Sequence, residues 1–223
     1  KKNYVTNFRW IYIGEAGRSM SRNNALLHDF PTCCLITGRS HPQRGRRYLG
    51  CGVAFGKNQI ATGAHVIEGF MDLAISFALS WREESSDNRI AVQASYIHKD
   101  HVAQHSHNDL AVLIVDDLPV EPMPLATEED FKNAELVTVV GYGSLQARGG
   151  TMDEIKNYAD DILMVSNYQK YHDDDEGRYG IHLPEEFVIG ARPCEADSGA
   201  PVFTSSGLDR RLLGVFTRKV AWE

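Results

Sequence analysis

From Pro31 onward the sequence breaks into short apolar runs rich in Val, Ile, Ala and Phe, each cut off by Gly, Asn, Asp or Ser. Runs of this make-up read as β-strands, and punctuation this frequent leaves little room for helices. The first series falls at Cys33–Thr37, Tyr48–Phe55, Gln59–Thr62, Asp72–Leu79, Ile90–Ile97 and Leu110–Val115. Asp116–Pro124 holds two prolines and no period, so it reads as a linker. A second series follows at Leu136–Tyr142, Ile162–Val165, Phe187–Ile189, Ala200–Thr204 and Leu212–Thr217. Glu128–Lys132 is the only short helix the pattern predicts. Before Pro31 the patterning is weak: Arg9–Ile13 reads as a strand and Ser19–Asn24 as a polar turn. Many short strands with few helical stretches imply barrels or a sandwich. A length of 223 residues allows one all-β domain or two small ones.

Composition narrows the function classes. Hydrophobic residues at 43% and charged residues at 24% are ordinary for a globular protein. No apolar run approaches the ~20 residues a membrane-spanning helix needs. A net charge of −7 without basic blocks gives no reason to expect a nucleic-acid partner. The chain opens Lys1-Lys2-Asn3, without an initiator Met or a signal peptide, and is expected to be a processed or excised piece of something longer.

Three stretches carry reactive side chains. Thr62-Gly63-Ala64-His65-Val66 puts a histidine after small residues. His107-Asn108-Asp109-Leu110-Ala111-Val112-Leu113 puts an aspartate at the head of an apolar run. Glu195-Ala196-Asp197-Ser198-Gly199-Ala200-Pro201 sets a serine between an aspartate and a glycine. A serine hydroxyl is a poor nucleophile near neutral pH and needs an adjacent base. A lone serine in a turn is ordinarily only a turn residue, so it is the joint pattern that points to chemistry.

These stretches resemble the TAAH, NDIAL and GDSGGP motifs of the chymotrypsin-like (trypsin-like) serine proteases, in that family's order and near its spacing. The resemblance implies an all-β fold of two antiparallel six-stranded barrels. The first would cover 31–118 and the second 119–223, after an N-terminal extension over 1–30. His65 and Asp109 would lie in the first barrel, Ser198 in the second, and the site in the cleft between. It implies a serine endopeptidase acting on protein or peptide substrates without a cofactor. Ser198 would be the nucleophile, His65 the base and Asp109 its orienter.

Further roles follow from the same resemblance. The N–H groups of Ser198 and Ala196 would form the oxyanion hole, though the family prefers glycine where Ala196 stands. Asp197 matches the aspartate that pairs with a new N-terminus after activating cleavage. Ile11 and Ile13 are conceivable new termini, and an internal donor to Asp197 is the alternative. Arg192 matches the floor of the specificity pocket and would favour an acidic side chain. Against that, Glu195 could neutralise it, and the short Gly190-Ala191 loop leaves room for a slip in the match. Thr217, Arg218 and Lys219 match the segment that pairs with the substrate backbone. The family's last strand and C-terminal helix have no counterpart after Arg218, so the second barrel must close in another way or draw on a longer chain.

Cys33, Cys34, Cys51 and Cys194 are the four cysteines. Cys33 and Cys34 are adjacent, and the family's usual partner after the histidine is replaced by Val66 and Ile67. Four free thiols in a reducing, intracellular compartment are expected, with a secreted protein carrying a Cys51–Cys194 pair as the alternative. His98, His101, His105 and His107 invite a metal reading, but no cysteine or carboxylate cluster completes a zinc site. The run Asp173–Glu176 lacks the spaced ligands of a calcium loop. The competing functional reading is a latent or inactive protease-fold module that acts by binding a regulatory partner or sits among further domains of a longer chain. Ala196 and the early C-terminus favour it.

Overall fold

A computed structural model describes residues 9–14, 23–25, 29–103, 108–143, 155–165, 186–189, 197–205 and 209–220. The first strand series folds as expected. β3 (Cys33–Arg39), β4 (Arg47–Gly56), β5 (Gln59–Thr62), β6 (Met71–Ser76), β7 (Arg89–Ile97) and β8 (Ala111–Val115) follow β1 (Arg9–Gly14) and β2 (Asn23–Asn24) in the chain. They form a closed barrel in the order β3-β4-β5-β8-β7-β6, and every pairing is antiparallel.

The second series gives β9 (Leu136–Gly141), β10 (Asn157–Val165), β11 (Glu186–Ile189), β12 (Pro201–Thr204) and β13 (Leu212–Val220). With β1 they run in the order β11-β1-β13-β12-β9-β10, and a β10–β11 pairing joins the two ends. β2 lies outside this ring, beside β10. Residues 9–14 and 23–24, assigned by the sequence to an extension, are therefore strands of the second sheet. β1 fills the place between β11 and β13 and runs parallel to both, while the other pairings of the sheet are antiparallel.

β10 begins five residues earlier than the apolar pattern suggests. Asp160 and Asp161 interrupt that pattern. The strand accommodates them with a register shift between Ala159 and Ile162, and Asp161 takes φ = 57°. The expected helix is present as α2 (Glu128–Asn133), preceded in the chain by a single-turn helix, α1 (Ala64–Ile67), that sequence periodicity does not reveal.

Strand alternation divides the core. Cys34, Ile36, Ala54, Ile60, Ile75 and Leu113 fill the first barrel. Cys33, Leu35, Cys51 and Val53 face the other way and pack with Val139, Tyr142, Phe203 and Val215 of the second. Cys33 and Cys34 thus point to opposite faces of β3, as successive strand residues must. Both thiols are free, and burial pushes both far above the usual cysteine range.

Candidate active site

The residue before Asp109 sets its position. Asn108 takes φ = 50°, a left-handed conformation that asparagine tolerates better than most residues. Its side-chain amide donates to the Asp100 carbonyl at 2.9 Å. This turn places Asp109, 1% exposed, at the mouth of β8. Thr62 of β5 pairs with Ala111 of β8, so the residues just after one and just before the other emerge at the same end of the barrel.

His65 sits there on α1, with Gly63 at the N-cap. A β-carbon on Gly63 would lie 3.1 Å from two atoms of the His65 ring, so a small residue keeps room for the imidazole. The result is a two-point contact. The His65 backbone N–H donates to Asp109 Oδ1 at 2.8 Å, and His65 Nδ1 lies 2.5 Å from Oδ2. A buried carboxylate against Nδ1 selects the Nδ1–H tautomer and leaves Nε2 as the basic nitrogen. The His65 side chain is 37% exposed, so the ring remains open to a substrate.

The serine turn is built from main chain. Asp197 is buried, and its Oδ1 accepts the Gly143 N–H at 3.0 Å. Ala200 N–H donates to the Asp197 carbonyl at 2.8 Å, closing a turn around Ser198 and Gly199. Gly199 has φ = 80°, and a β-carbon there would collide with the Cys51 carbonyl and the Thr62 hydroxyl. Glycine is therefore required on both counts. The Gly199 N–H donates to the Phe216 carbonyl at 2.7 Å, and the Ser198 carbonyl accepts the Cys51 N–H at 2.7 Å. The Thr62 hydroxyl donates to the Cys51 carbonyl at 2.7 Å.

Gly50 joins the two halves. A β-carbon on it would lie 2.6 Å from the Ser198 carbonyl oxygen and 2.9 Å from Val66 Cγ1. Val66 follows His65 in the chain. One bare glycine thus separates the serine turn from the histidine helix.

The remaining expected site residues divide into two groups. Ala196 and Arg192 lie outside the described residues, as do Cys194, Glu195, His105, His107 and the acidic run 173–176. Thr217, Arg218 and Lys219 are on β13, where Thr217 is buried and Arg218 and Lys219 pair with Tyr12 and Ile13 of β1. Ile11 and Ile13 are internal residues of β1, in register with both β11 and β13. His98 Nδ1 accepts the Asp100 N–H at 3.3 Å, and His101 Nε2 lies 3.7 Å from a Glu68 carboxylate oxygen. Gly50, Asn108 and Lys156 were not singled out from sequence. Of the three, only Asn108 carries a sequence signal, its place directly before the motif aspartate.

A family model described as the trypsin-like peptidase domain matches residues 50–215. The chain belongs to the trypsin-like peptidase family. The matched region runs from the glycine beneath the serine turn to the strand behind it. Among solved structures this trypsin-like peptidase is similar to the secreted serine protease VesC from Vibrio cholerae. The TM-score is 0.67 at 22% identity, over 87% of this chain and 42% of that one. It is also similar to the Vibrio cholerae VesB protease, with a TM-score of 0.67 at 20% identity, over 89% of this chain and 60% of that one. At these identities the likeness speaks to fold, and the chain spans less than two thirds of either protease. No curated protein sequence matches it.

Proposed function

We propose that the protein is an active serine endopeptidase in which His65, Asp109 and Ser198 form the catalytic triad. The observation that carries this reading is the two-point grip of Asp109 on His65, with the Ser198 turn one glycine away. Ser198 Oγ adds to the carbonyl carbon of the scissile bond as its proton passes to His65 Nε2. The negative oxygen that forms is received by the N–H groups of Ser198 and Ala196, each such donor being worth ~3–4 kcal/mol in comparable enzymes. His65 returns the proton to the amine nitrogen as the C–N bond breaks, leaving an acyl-enzyme. Water then adds to the acyl carbon as its proton passes to His65 Nε2, and the carboxylic acid is released as the bond to Ser198 Oγ breaks and that oxygen takes the proton back.

Specificity extends this proposal. Arg192 is assigned to the pocket floor, where its guanidinium would take an acidic side chain, and Thr217-Arg218-Lys219 to the strand that pairs with the substrate backbone. The substrates are proteins or peptides. The free, buried thiols of Cys33 and Cys34 support residence in a reducing, intracellular compartment, where alkylation of the denatured protein would find four thiols, Cys194 included.

The test is cleavage of a diverse peptide mixture by wild type and Ser198→Ala, read by mass spectrometry. Cuts that vanish in the variant are expected. Asp or Glu before each cut supports the Arg192 assignment, and any other residue there removes it. A latent, partner-binding module is the second reading, favoured by Ala196 in a position where a β-carbon restricts the backbone. It predicts no cleavage by either protein and no labelling of Ser198 by an organophosphonate.

A further inference from the structure

The loop that joins β3 to β4 carries Arg39, Arg44, Arg46 and Arg47 and no acidic residue, in a chain whose net charge is −7. Two of these arginines hold the loop. Arg46 Nη1 donates to the Thr37 carbonyl at 3.2 Å and to its hydroxyl at 3.1 Å. Arg39 Nη1 donates to the Pro42 carbonyl at 3.4 Å, and Arg39 Nε lies 3.8 Å from Asp72 Oδ2. The Nε–H groups of both are buried without a hydrogen-bond acceptor. Burial, and then the neighbouring Arg89, hold the Arg46 guanidinium below its ordinary value. The carboxylates that pull the other way, Glu84 and Asp72, are already engaged by Arg89 and Arg39. Positive charge therefore builds up at this loop and is not cancelled from within.

The other two arginines are exposed, and among the described residues neither has a carboxylate partner. The Arg47 guanidinium lies over the Phe70 ring, 4.6 Å from its centre, which fixes the direction of the charged head. Phe70 closes the turn after α1, its N–H donating to the Ile67 carbonyl at 3.1 Å, and α1 carries His65. Along β4, Arg47 stands three residues before Gly50, the glycine between the serine turn and α1. Three residues of strand span about 10 Å. The basic loop thus borders the histidine half of the site.

The proposed chemistry gives the direction. His65 returns a proton to the leaving amine, so the substrate segment after the cut departs on the histidine side, over the first barrel. The segment before the cut is assigned to Arg192 and β13, in the second.

We propose that Arg44 and Arg47 make the β3–β4 loop a docking surface for acidic side chains in the substrate segment that follows the cut, beginning roughly three residues beyond it. The inference rests on the endopeptidase reading and deepens it by adding a determinant on the other side of the scissile bond from Arg192. Exposed opposite charges steer the encounter and add a modest, salt-sensitive affinity.

Peptides that the wild type cuts are remade with Glu or with Gln at the third and fourth residues after the cut. The ratio of kcat/KM for the two forms is measured with wild type, Arg44→Gln/Arg47→Gln and Arg44→Lys/Arg47→Lys, after unfolding midpoints have confirmed the fold of each. Wild type should prefer the Glu form by about fivefold, chiefly through KM, the scale of two exposed ion pairs. The Gln variant should lose that preference and the Lys variant keep most of it, and about 0.5 M salt should abolish it. A second readout needs no cleavage. By fluorescence anisotropy, Ser198→Ala should bind a fluorescein-labelled six-residue polyglutamate about fivefold more tightly than the same protein with Arg44→Gln and Arg47→Gln added.

An equal preference for Glu in wild type and the Gln variant, or none in either, would overturn the docking surface while the endopeptidase stood. No cleavage by any of the proteins, with polyglutamate still bound through the two arginines, would overturn the endopeptidase reading and the docking of substrate with it, and leave an acidic-peptide surface. Tighter binding of a thymidine hexanucleotide than of polyglutamate would overturn the choice of an acidic polypeptide as the occupant.

Discussion

In the first barrel the histidine half of the site hangs on side-chain hydrogen bonds. One carboxylate grips His65 at its backbone N–H and at Nδ1. In the second barrel the serine half is pressed into place by main chain, through Gly199 against Phe216 and Ser198 against Cys51. The histidine half is therefore set by chemistry that one atom can alter without moving the backbone. The serine half is set by shape, at glycines with no space to spare. The two should fail in different ways.

Asp109→Asn should separate them most widely. Asparagine keeps the size of the side chain but supplies an amide N–H₂ where an anion stood, so Nδ1 loses its acceptor and the imidazolium its counter-charge. In triads of this kind the corresponding change costs about 10⁴ in kcat. The peptide-cleavage rate should fall on that scale while the circular-dichroism spectrum stays that of wild type. A rate within tenfold of wild type would mean that Asp109 is not the orienter of the base.

Gly199→Ala should break the other half, and with it the fold around it. The new methyl meets the Cys51 carbonyl and the Thr62 hydroxyl, and alanine must adopt φ = 80°. Left-handed backbone costs roughly 1–2 kcal/mol for a non-glycine residue before any collision is counted. Stability and activity should fall together, seen as a lower unfolding midpoint and lost phosphonate labelling. Gly50→Ala should fall between the two, since its methyl would press on both the Ser198 carbonyl and Val66. A Gly50→Ala protein that labels at the wild-type rate would show that this glycine does not set the spacing of the two halves.

The same contrast explains what could be read from the sequence. The meeting of His65 and Asp109 could be anticipated because each belongs to a short local motif, and Asn108 can be rationalised as the residue that makes the turn before Asp109. The strands of the first barrel were legible because apolar runs and turn residues alternate along them. Lys156 was not, since nothing in a local sequence marks a lysine for burial, and only packing against Tyr142 and Phe30 places it inside. The parallel seat of β1 was hidden for a similar reason, because six extended residues carry no record of which strands they will join. α1 is a single turn, too short for a helical period to register.

The smallest effect belongs to α2, whose buried Phe131 packs against Phe187 of β11, and it serves as the control for the comparison. Thr127 and Asp130 form a reciprocal cap. The Asp130 N–H donates to the Thr127 hydroxyl oxygen at 3.2 Å, and Asp130 Oδ2 accepts the Thr127 N–H at 2.7 Å and its hydroxyl at 2.8 Å. Thr127→Ala should cost about 1 kcal/mol of stability, as lost caps do, with cleavage unchanged. The Thr127 N–H, then its hydroxyl, hold the Asp130 carboxyl below the usual carboxylate range. A group depressed in the folded state contributes stability above its unfolded pKa of about 3.9, and that contribution is lost as the pH falls through the lower folded value. The unfolding midpoints of wild type and Asp130→Asn should therefore differ at neutral pH and converge in acid. A difference that persisted unchanged at the lowest pH would assign the effect to the neutral hydrogen bonds of the cap rather than to the charge. A loss of cleavage in either variant would show that α2 is coupled to the site, and the division between a chemically held half and a sterically held half would then be incomplete.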